Sequence, residues 1–132
     1  MTDRNTTNIS IEPADPEHKR WYCPQRLVHY NYPCDEFSDI YSLAIVFWEI
    51  AMGTGKIPYS EVDMYYLKKH VHQKNRNKLP NDIPSWASSY KTLVERMWSH
   101  EPDHRGRIKS IVKELSMLME KKEHSLTVRS II

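Results

Sequence analysis

The segment from Ser38 to Met52 is the most apolar stretch of the chain, and its apolar residues fall on every side of a helical wheel. A helix that is apolar all round is buried rather than lying at a surface. The segment is shorter than the roughly 20 apolar residues that a membrane span requires, and Glu49 interrupts it. We therefore predict the buried central helix of a mainly α-helical domain, with Ser38 as its N-cap and Gly53 at its end.

Other segments show the weaker periodicity of helices that pack around such a centre. A short helix is expected over about residues 25–30, because proline at position 24 favours the first turn of a helix. Apolar spacing predicts amphipathic helices over about residues 61–73, 85–99 and 108–122. We expect a capping box from Ser60 to Asp63 to open the first of these three, and Ser85 to cap the second. The residues expected to be buried in the last helix are Ile108, Ile111, Val112, Leu115, Leu118 and Met119.

The 132 residues are enough for one ordinary domain, which we place at residues 20–122. Residues 1–19 are polar and show neither the helical nor the strand period, so they are predicted to be a flexible arm. Residues 123–132 are predicted to be a tail. The chain therefore divides into an arm, one helical domain and a tail.

Composition excludes several classes of protein. The net charge of +2 is small, and lysines and arginines are spread along the chain, so no nucleic-acid partner is expected. Cys23 and Cys34 lack the C-x-x-C spacing, and the N-terminus carries no apolar run. Two such thiols are typical of a reduced protein, and an N-terminus without an apolar run shows no secretory signal. We therefore expect a cytoplasmic location.

The pattern His100-Glu101-Pro102-Asp103-His104 matches H-E-x-x-H, the signature of zinc proteases. That signature requires an unbroken helix, because its two histidines must share one helix face to bind zinc. Pro102 lies between the histidines and costs about 3 kcal/mol in a helix interior. A turn that contains two histidines is the alternative to a zinc hydrolase. His70 and His72, two positions apart on a helix, are expected to be surface residues.

Asp39 and Arg105, two charged residues beside apolar segments, can each be interpreted in two ways. Asp39 lies in the first turn of the central helix, where it suits the helix dipole or could bind a buried group of donors. Arg105 follows the second amphipathic segment, at residues 85–99. It is either exposed to solvent or held by a fixed partner near the core.

Three segments together resemble those of protein kinases. Asp39-Ile40-Tyr41-Ser42-Leu43-Ala44-Ile45-Val46-Phe47-Trp48-Glu49 resembles helix F, D-x-Y-S-x-G-x-x-x-W-E. Arg20-Trp21-Tyr22-Cys23-Pro24-Gln25 resembles the end of the activation segment, R-W-x-A-P-E. Met97-Trp98-Ser99-His100-Glu101-Pro102-Asp103-His104-Arg105 resembles C-W-x-x-D-P-x-x-R. All three occur in family order and spacing over about residues 20–122, and their tryptophans resemble those of the tyrosine-kinase and tyrosine-kinase-like branches.

The resemblance implies the C-terminal part of a kinase large lobe, with helices F to I around the central helix. It also implies that Asp39 holds the backbone of the catalytic loop, and that Arg105 pairs with the acid that ends A-P-E. Trp98 would be structural. The wall beside the residue that follows the phosphoacceptor would be formed by Trp21, Tyr22, Cys23 and Pro24. Residues 1–19 would be a remnant of the activation loop, in which the candidate phosphorylation sites are Thr6, Thr7 and Ser10.

The chain departs from the family pattern at three positions. Gln25 replaces the glutamate, so we expect a single charge-assisted hydrogen bond with Arg105 in place of an ion pair. Cys23 replaces an alanine. Ala44 replaces the helix glycine, which is a mild change because alanine suits a helix better.

No Gly-rich loop, V-A-I-K, H-R-D-x-x-x-x-N or D-F-G occurs in the sequence. Phosphoryl transfer depends on positioning ATP and Mg²⁺, which in the family is the work of these motifs. We therefore expect no cofactor in this chain, with ATP and Mg²⁺ belonging to the complete domain. The chain is then either part of a kinase-like protein, completed by an N-terminal kinase part, or a stand-alone, pseudokinase-like module that binds a protein partner. In the family, helix F also packs against helix E and the catalytic loop, so part of the central helix should lie open here.

Overall fold

The computed structural model describes residues 16–29, 31–53, 55–81 and 84–131, without the side chains of 85, 86 and 125–131. Thr6, Thr7, Ser10 and most of the predicted arm lie outside these residues. The described α-helices are α1 (Pro24–Val28), α2 (Glu36–Met52), α3 (Leu67–His72), α4 (Ser85–Met97) and α5 (Ile108–Ile131). Three 3-10 helices accompany them at Pro16–Trp21, Met64–Tyr66 and Pro102–His104. No strand occurs among the described residues, and the prediction of a mainly α fold is confirmed.

The predicted central helix is α2, which lies against α4 and against two of the 3-10 helices. Its buried hydrophobic side chains form the middle of the core and are those of Ile40, Tyr41, Ala44, Ile45 and Trp48. The helix begins earlier than predicted, because the Asp35 carboxylate accepts a hydrogen bond from the backbone N–H of Ser38 at 2.9 Å. Asp35 is therefore the N-cap, and the prediction that Ser38 caps α2 is wrong. Gly53 ends the helix at a positive φ of 94°, as predicted.

Two of the predicted helix starts are also wrong. The Asp63 side chain accepts from the N–H of Tyr65 at 2.8 Å, so it caps the 3-10 helix Met64–Tyr66 instead of completing a capping box with Ser60. That 3-10 helix leads directly into α3. In α4 the N-cap position belongs to Pro84, and Ser85 is the first helical residue.

The last helix is longer and more exposed than predicted. It continues to Ile131, so the prediction of a separate tail is wrong for residues 123–131. Ile111 is fully buried, but Ile108, Val112 and Met119 are exposed. The main neighbour of α5 is α4, which covers only one side of it, and Arg96 of α4 forms an ion pair with Glu114. A helix covered from one side buries a narrow stripe, so part of its apolar face stays in solvent.

One side of α2 is open. Val46 and Ile50 are 39% and 68% exposed, and Leu43 and Phe47 on the same side are half-buried. These positions recur at helical spacing and form one continuous strip, which we call the open stripe. The expectation that α2 is buried all round is therefore wrong on this side, whereas the expectation of an open part agrees with the structure. None of the described helices combines the length and apolarity needed to cross a membrane.

Candidate functional site

Arg20 fixes the segment of residues 20–24 at its first residue. Its Nη1 donates to the carbonyl oxygens of Pro58 and Tyr59 at 3.0 and 2.8 Å, and its Nε donates to Glu17 at 2.8 Å. The arginine is almost completely buried. Hydrogen bonds to a charged donor in a buried site are stronger than neutral ones, so the segment is firmly attached to the turn that contains Tyr59.

Trp21 fixes the same segment to the central helix. Its indole Nε1 donates to the Glu49 carboxylate at 2.8 Å, and its carbonyl oxygen accepts from the Ser42 hydroxyl at 2.7 Å. Glu49 is half-buried, and this contact explains why an acid interrupts the otherwise apolar helix. A carboxylate that is partly removed from water is stabilised by such a donor. Residues 20–24 therefore lie along α2 in one fixed position.

The end of the segment lies against α3. Cys23 and Pro24 are buried, and the Pro24 carbonyl oxygen lies 2.8 Å from Nε2 of His72. Because a carbonyl can only accept, Nε2 must carry the proton in this contact. The ring of Tyr22 lies beneath the Arg26 guanidinium, 4.4 Å from its central carbon. Trp21, Tyr22, Cys23 and Pro24, the residues that sequence reasoning assigned to one wall, thus lie together; we call residues 20–24 the anchored segment.

Arg105 is fully buried, so the possibility that it faces solvent is wrong. Its Nε donates to the Ser99 carbonyl at 2.8 Å, and its Nη1 donates to the Phe37 carbonyl at 2.9 Å. Its guanidinium also lies 5.2 Å from the centre of the Tyr41 ring, a cation–π distance. Burial lowers the pKa of Arg105, while neighbouring Cys23 and Tyr41 act in the opposite direction. Backbone carbonyl groups and the face of the Tyr41 ring therefore stabilise the buried guanidinium of Arg105.

Gln25 connects Arg105 to the anchored segment. Its side-chain oxygen accepts from Nη2 of Arg105 at 2.8 Å, which is the single hydrogen bond expected from the sequence. Its Nε2 donates to the His100 carbonyl at 2.9 Å, and Nη2 of Arg105 donates to the same carbonyl at 3.1 Å. A glutamate could not donate to that carbonyl. The glutamine thus makes a contact that the family's acid would not make.

His72 and His100 lie next to each other near the end of the anchored segment. From the sequence, His72 was expected at a surface and His100 in a possible zinc site. The rings of His72 and His100 are 5.3 Å apart and nearly perpendicular. Nδ1 of His100 is buried without a hydrogen-bond partner. Burial, followed by the nearby His72 and Arg76, lowers the pKa of His100. The expectation that His72 is a surface residue is wrong, because it is half-buried and contacts Pro24.

The zinc pattern does not form the helix that it requires. Pro102–His104 is a single 3-10 turn after Glu101, and His100 lies before it, so the two histidines do not share an α-helical face. Among the described residues, no three His, Cys, Asp or Glu side chains lie close enough to hold a metal ion. We do not propose a zinc hydrolase.

Asp39 and Trp98 complete the set of residues named from the sequence. Asp39 is exposed and lies at the start of the open stripe, beside a depression of about 330 Å³ that Leu43 and Ile108 also line. Trp98 is buried, and its carbonyl oxygen accepts from Nε of Arg76 at 2.9 Å. Sequence reasoning missed Arg76, which also lies 5.3 Å from the ring of Tyr41. Nothing in its local pattern distinguishes it from an exposed basic residue.

The central helix, the buried arginine and the anchored segment define the helical large lobe of a protein kinase fold. The chain belongs to the protein tyrosine and serine/threonine kinase family, whose sequence profile matches residues 4–115. It is 30% identical over 117 residues to the serine/threonine-protein kinase STY17 of Arabidopsis thaliana, covering 88% of this chain and 19% of that protein.

Relatives outside plants are similar over somewhat shorter stretches of the chain. The mixed lineage kinase domain-like protein of Homo sapiens is 35% identical over 94 residues, which cover 70% of this chain and 19% of that protein. The mitogen-activated protein kinase kinase kinase 12 of Rattus norvegicus is 31% identical over 98 residues, with 74% and 10% covered. The chain therefore spans a fifth or less of the length of these curated relatives.

Proposed function

We propose that this chain is the C-terminal part of the large lobe of a kinase-like signalling protein, and that its anchored segment contacts the protein substrate. The observation that carries this proposal is the fixation of residues 20–24 by buried hydrogen bonds from Arg20 and Trp21. A binding wall must be held in place before the substrate arrives if it is to position a reacting hydroxyl. The whole protein would phosphorylate Ser, Thr or Tyr residues of proteins with ATP.

The chain by itself is proposed not to transfer phosphate. The sequence contains none of the motifs that bind ATP and Mg²⁺ in the family. Without a lysine for the phosphates, an aspartate for the metal or a catalytic base, the transferred group would not be positioned or neutralised. ATP and Mg²⁺ would be bound by the rest of the domain, and Asp39 would hold the backbone of its catalytic loop. The free Cys23 and Cys34 support a cytoplasmic location as part of the same proposal.

The second candidate is a stand-alone, non-catalytic module that binds proteins. It is favoured by the hydrogen bonds that join the anchored segment to the turn at Tyr59, to Glu49 of α2 and to His72 of α3. The segment would therefore keep its shape without any catalytic part. Both candidate functions use the anchored segment to bind a protein. They differ in whether phosphate is transferred from ATP beside it.

The test measures phosphate transfer and peptide binding with the full 132-residue chain. We expect no incorporation of labelled phosphate from ATP and Mg²⁺ into a mixed protein substrate, and no thermal shift with ATP. Incorporation well above that of a heat-denatured sample would contradict the proposal. On an array of Ser-, Thr- and Tyr-centred peptides, the chain should retain a subset that Trp21→Ala loses. Equal retention by both proteins would contradict the role of the anchored segment.

A further inference from the structure

The chain's positive charge is concentrated next to the anchored segment. Residues 68–78 contain Lys68, Lys69, Lys74, Arg76 and Lys78 but no aspartate or glutamate. This stretch alone carries more positive charge than the net +2 of the whole chain. The description of lysines and arginines as spread along the chain therefore does not hold for residues 68–78.

Four of these five basic side chains are exposed to solvent. Helix α3 buries Leu67 and Val71 on its inner side, so Lys68 and Lys69 point to solvent. Lys74 and Lys78 follow the helix and are exposed as well. In the part of the chain that the structure describes, none of these four lysines forms an ion pair with a carboxylate. A cluster of unpaired cations raises the local positive potential.

Two exposed aromatic side chains adjoin the lysines. Tyr65 and Tyr66 are 79% and 61% exposed, and their ring centres are 5.0 Å apart. Tyr65 precedes Lys68 and Lys69 by three and four positions, the spacing at which residues are neighbours on a helix surface. Tyr66 precedes Lys69 by three positions. Tyrosine is enriched in protein interfaces, where its ring adds contact area and its hydroxyl a hydrogen bond.

The positive region also reaches the anchored segment. His72 of α3 contacts the Pro24 carbonyl, and His72, Arg76 and Lys74 all lower the pKa of the neighbouring His100. The contact of His72 joins the C-terminal end of α3, after which Lys74 and Arg76 follow in sequence, to the end of the anchored segment. A chain bound along residues 20–24 would therefore meet positive charge as it continued toward α3.

We propose that Tyr65, Tyr66, Lys68, Lys69 and Lys74, here called the α3 basic surface, bind an acidic segment of a protein partner. Charge complementarity identifies this occupant, with carboxylates opposite the lysines and an apolar side chain against the tyrosine pair. An anionic membrane is disfavoured, because the four exposed lysines only reach the lower limit of the roughly four to eight clustered basic residues typical of lipid recognition. The apolar side chains of α3, Leu67 and Val71, are also buried, so the helix has no free apolar face to enter a bilayer. Nucleic acid is disfavoured by the chain's small net charge. The inference does not depend on the function of the anchored segment.

The probe is a fluorescein-labelled peptide of repeated Glu-Glu-Leu triplets, titrated with the full chain while anisotropy is followed. We compare Lys68→Glu/Lys69→Glu with Lys109→Glu/Lys113→Glu, which reverses two exposed lysines on α5 and changes the net charge equally. We expect the α3 double variant to lose about tenfold in affinity and the α5 variant less than about twofold. Added salt should weaken the wild-type complex, because exposed charges are screened.

Further measurements separate the proposed partner from other polyanions. Tyr65→Ala/Tyr66→Ala should weaken binding of the Glu-Glu-Leu peptide, and a Gln-Gln-Leu peptide should not bind. Circular dichroism melts should be unchanged in all variants, because the substituted residues are exposed. Absence of peptide binding, equal losses in both lysine variants, or equal binding to phosphatidylserine vesicles or duplex DNA would overturn the proposal.

Discussion

Arg105 is a buried cation that is satisfied by neutral acceptors. Its guanidinium donates to Gln25 and to three backbone carbonyl oxygens, those of Phe37, Ser99 and His100. No carboxylate in the described part of the chain is among its hydrogen-bond partners. Because Gln25 also donates to the His100 carbonyl, the replacement of the family's acid keeps the connection between α1 and the loop after α4. The two residues act as a structural pair.

Arg105→Met is expected to lower the free energy of unfolding by roughly 3 kcal/mol, because it leaves several buried acceptors without a donor. Arg105→Lys should restore only part of the loss, since a single ammonium cannot reach acceptors spread around a planar guanidinium. Urea unfolding followed by tryptophan fluorescence measures both. Arg107→Met is the matched control, because Arg107 is exposed. A loss as small as that of the control would contradict the assigned role.

His100 should make stability depend on pH. Burial, His72, Arg76 and Lys74 lower its pKa below 6.5, and Glu101 acts in the opposite direction. The unfolded chain therefore binds a proton at a higher pH than the folded chain does. Stability should be fully present above about pH 6.5 and should decrease as the pH falls through the lowered pKa.

Replacing His100 with asparagine tests this dependence. The variant His100→Asn should lose less stability than the wild type between neutral and mildly acidic pH. The exposed His104→Asn should follow the wild-type curve. Urea unfolding at several pH values gives the comparison, and parallel curves for wild type and His100→Asn would contradict the assignment.

Helices are the elements that the sequence predicted best. A continuous apolar stretch located α2, and apolar periodicity located α4 and α5, because burial of apolar side chains dominates the stability of these helices. Their ends were less predictable, because Asp35 and Ser38 are both good N-caps and only the packed chain decides which one accepts the hydrogen bond. The C-terminal end of α5 has no glycine or proline to stop it, and the helix continues past Lys122.

The contacts of the candidate site could be predicted from the sequence only where the residues belong to a family motif. The contact between Gln25 and Arg105 followed from the resemblance, since residues so far apart in sequence share no local pattern. Arg76 was missed and His72 was wrongly expected at the surface, because their contacts with Trp98 and Pro24 depend on how α3 and the loop after it pack. Single polar residues on an amphipathic helix look alike until their tertiary partners are known.

The contact between Trp21 and Glu49 should keep the anchored segment attached to α2. Glu49→Leu removes the acceptor for the indole N–H, whereas Glu49→Gln keeps an oxygen there and is the matched control. We expect hydrogen exchange at residues 20–23 to increase about tenfold in Glu49→Leu and little in Glu49→Gln. Exchange within α2 should not change. Equal exchange of residues 20–23 in both variants would show that other contacts hold the segment.

At the scale of the whole molecule, the unusual feature is the open stripe. A helix that provides the middle of the core on one side leaves Val46 and Ile50 exposed on the other. Contiguous apolar surface of this kind is typical of an interface. The proposal that this chain is one part of a kinase large lobe explains the stripe, because in that lobe helix F is covered by further elements of the domain.

Sedimentation velocity of the full chain over a range of concentrations tests this explanation most directly. We predict that the wild type self-associates through the open stripe and that Val46→Lys/Ile50→Lys is monomeric. The unfolding free energy of the monomer should change by less than about 1 kcal/mol, because both side chains are already exposed. A wild type that remains a monodisperse monomer with a cooperative melt would contradict the account.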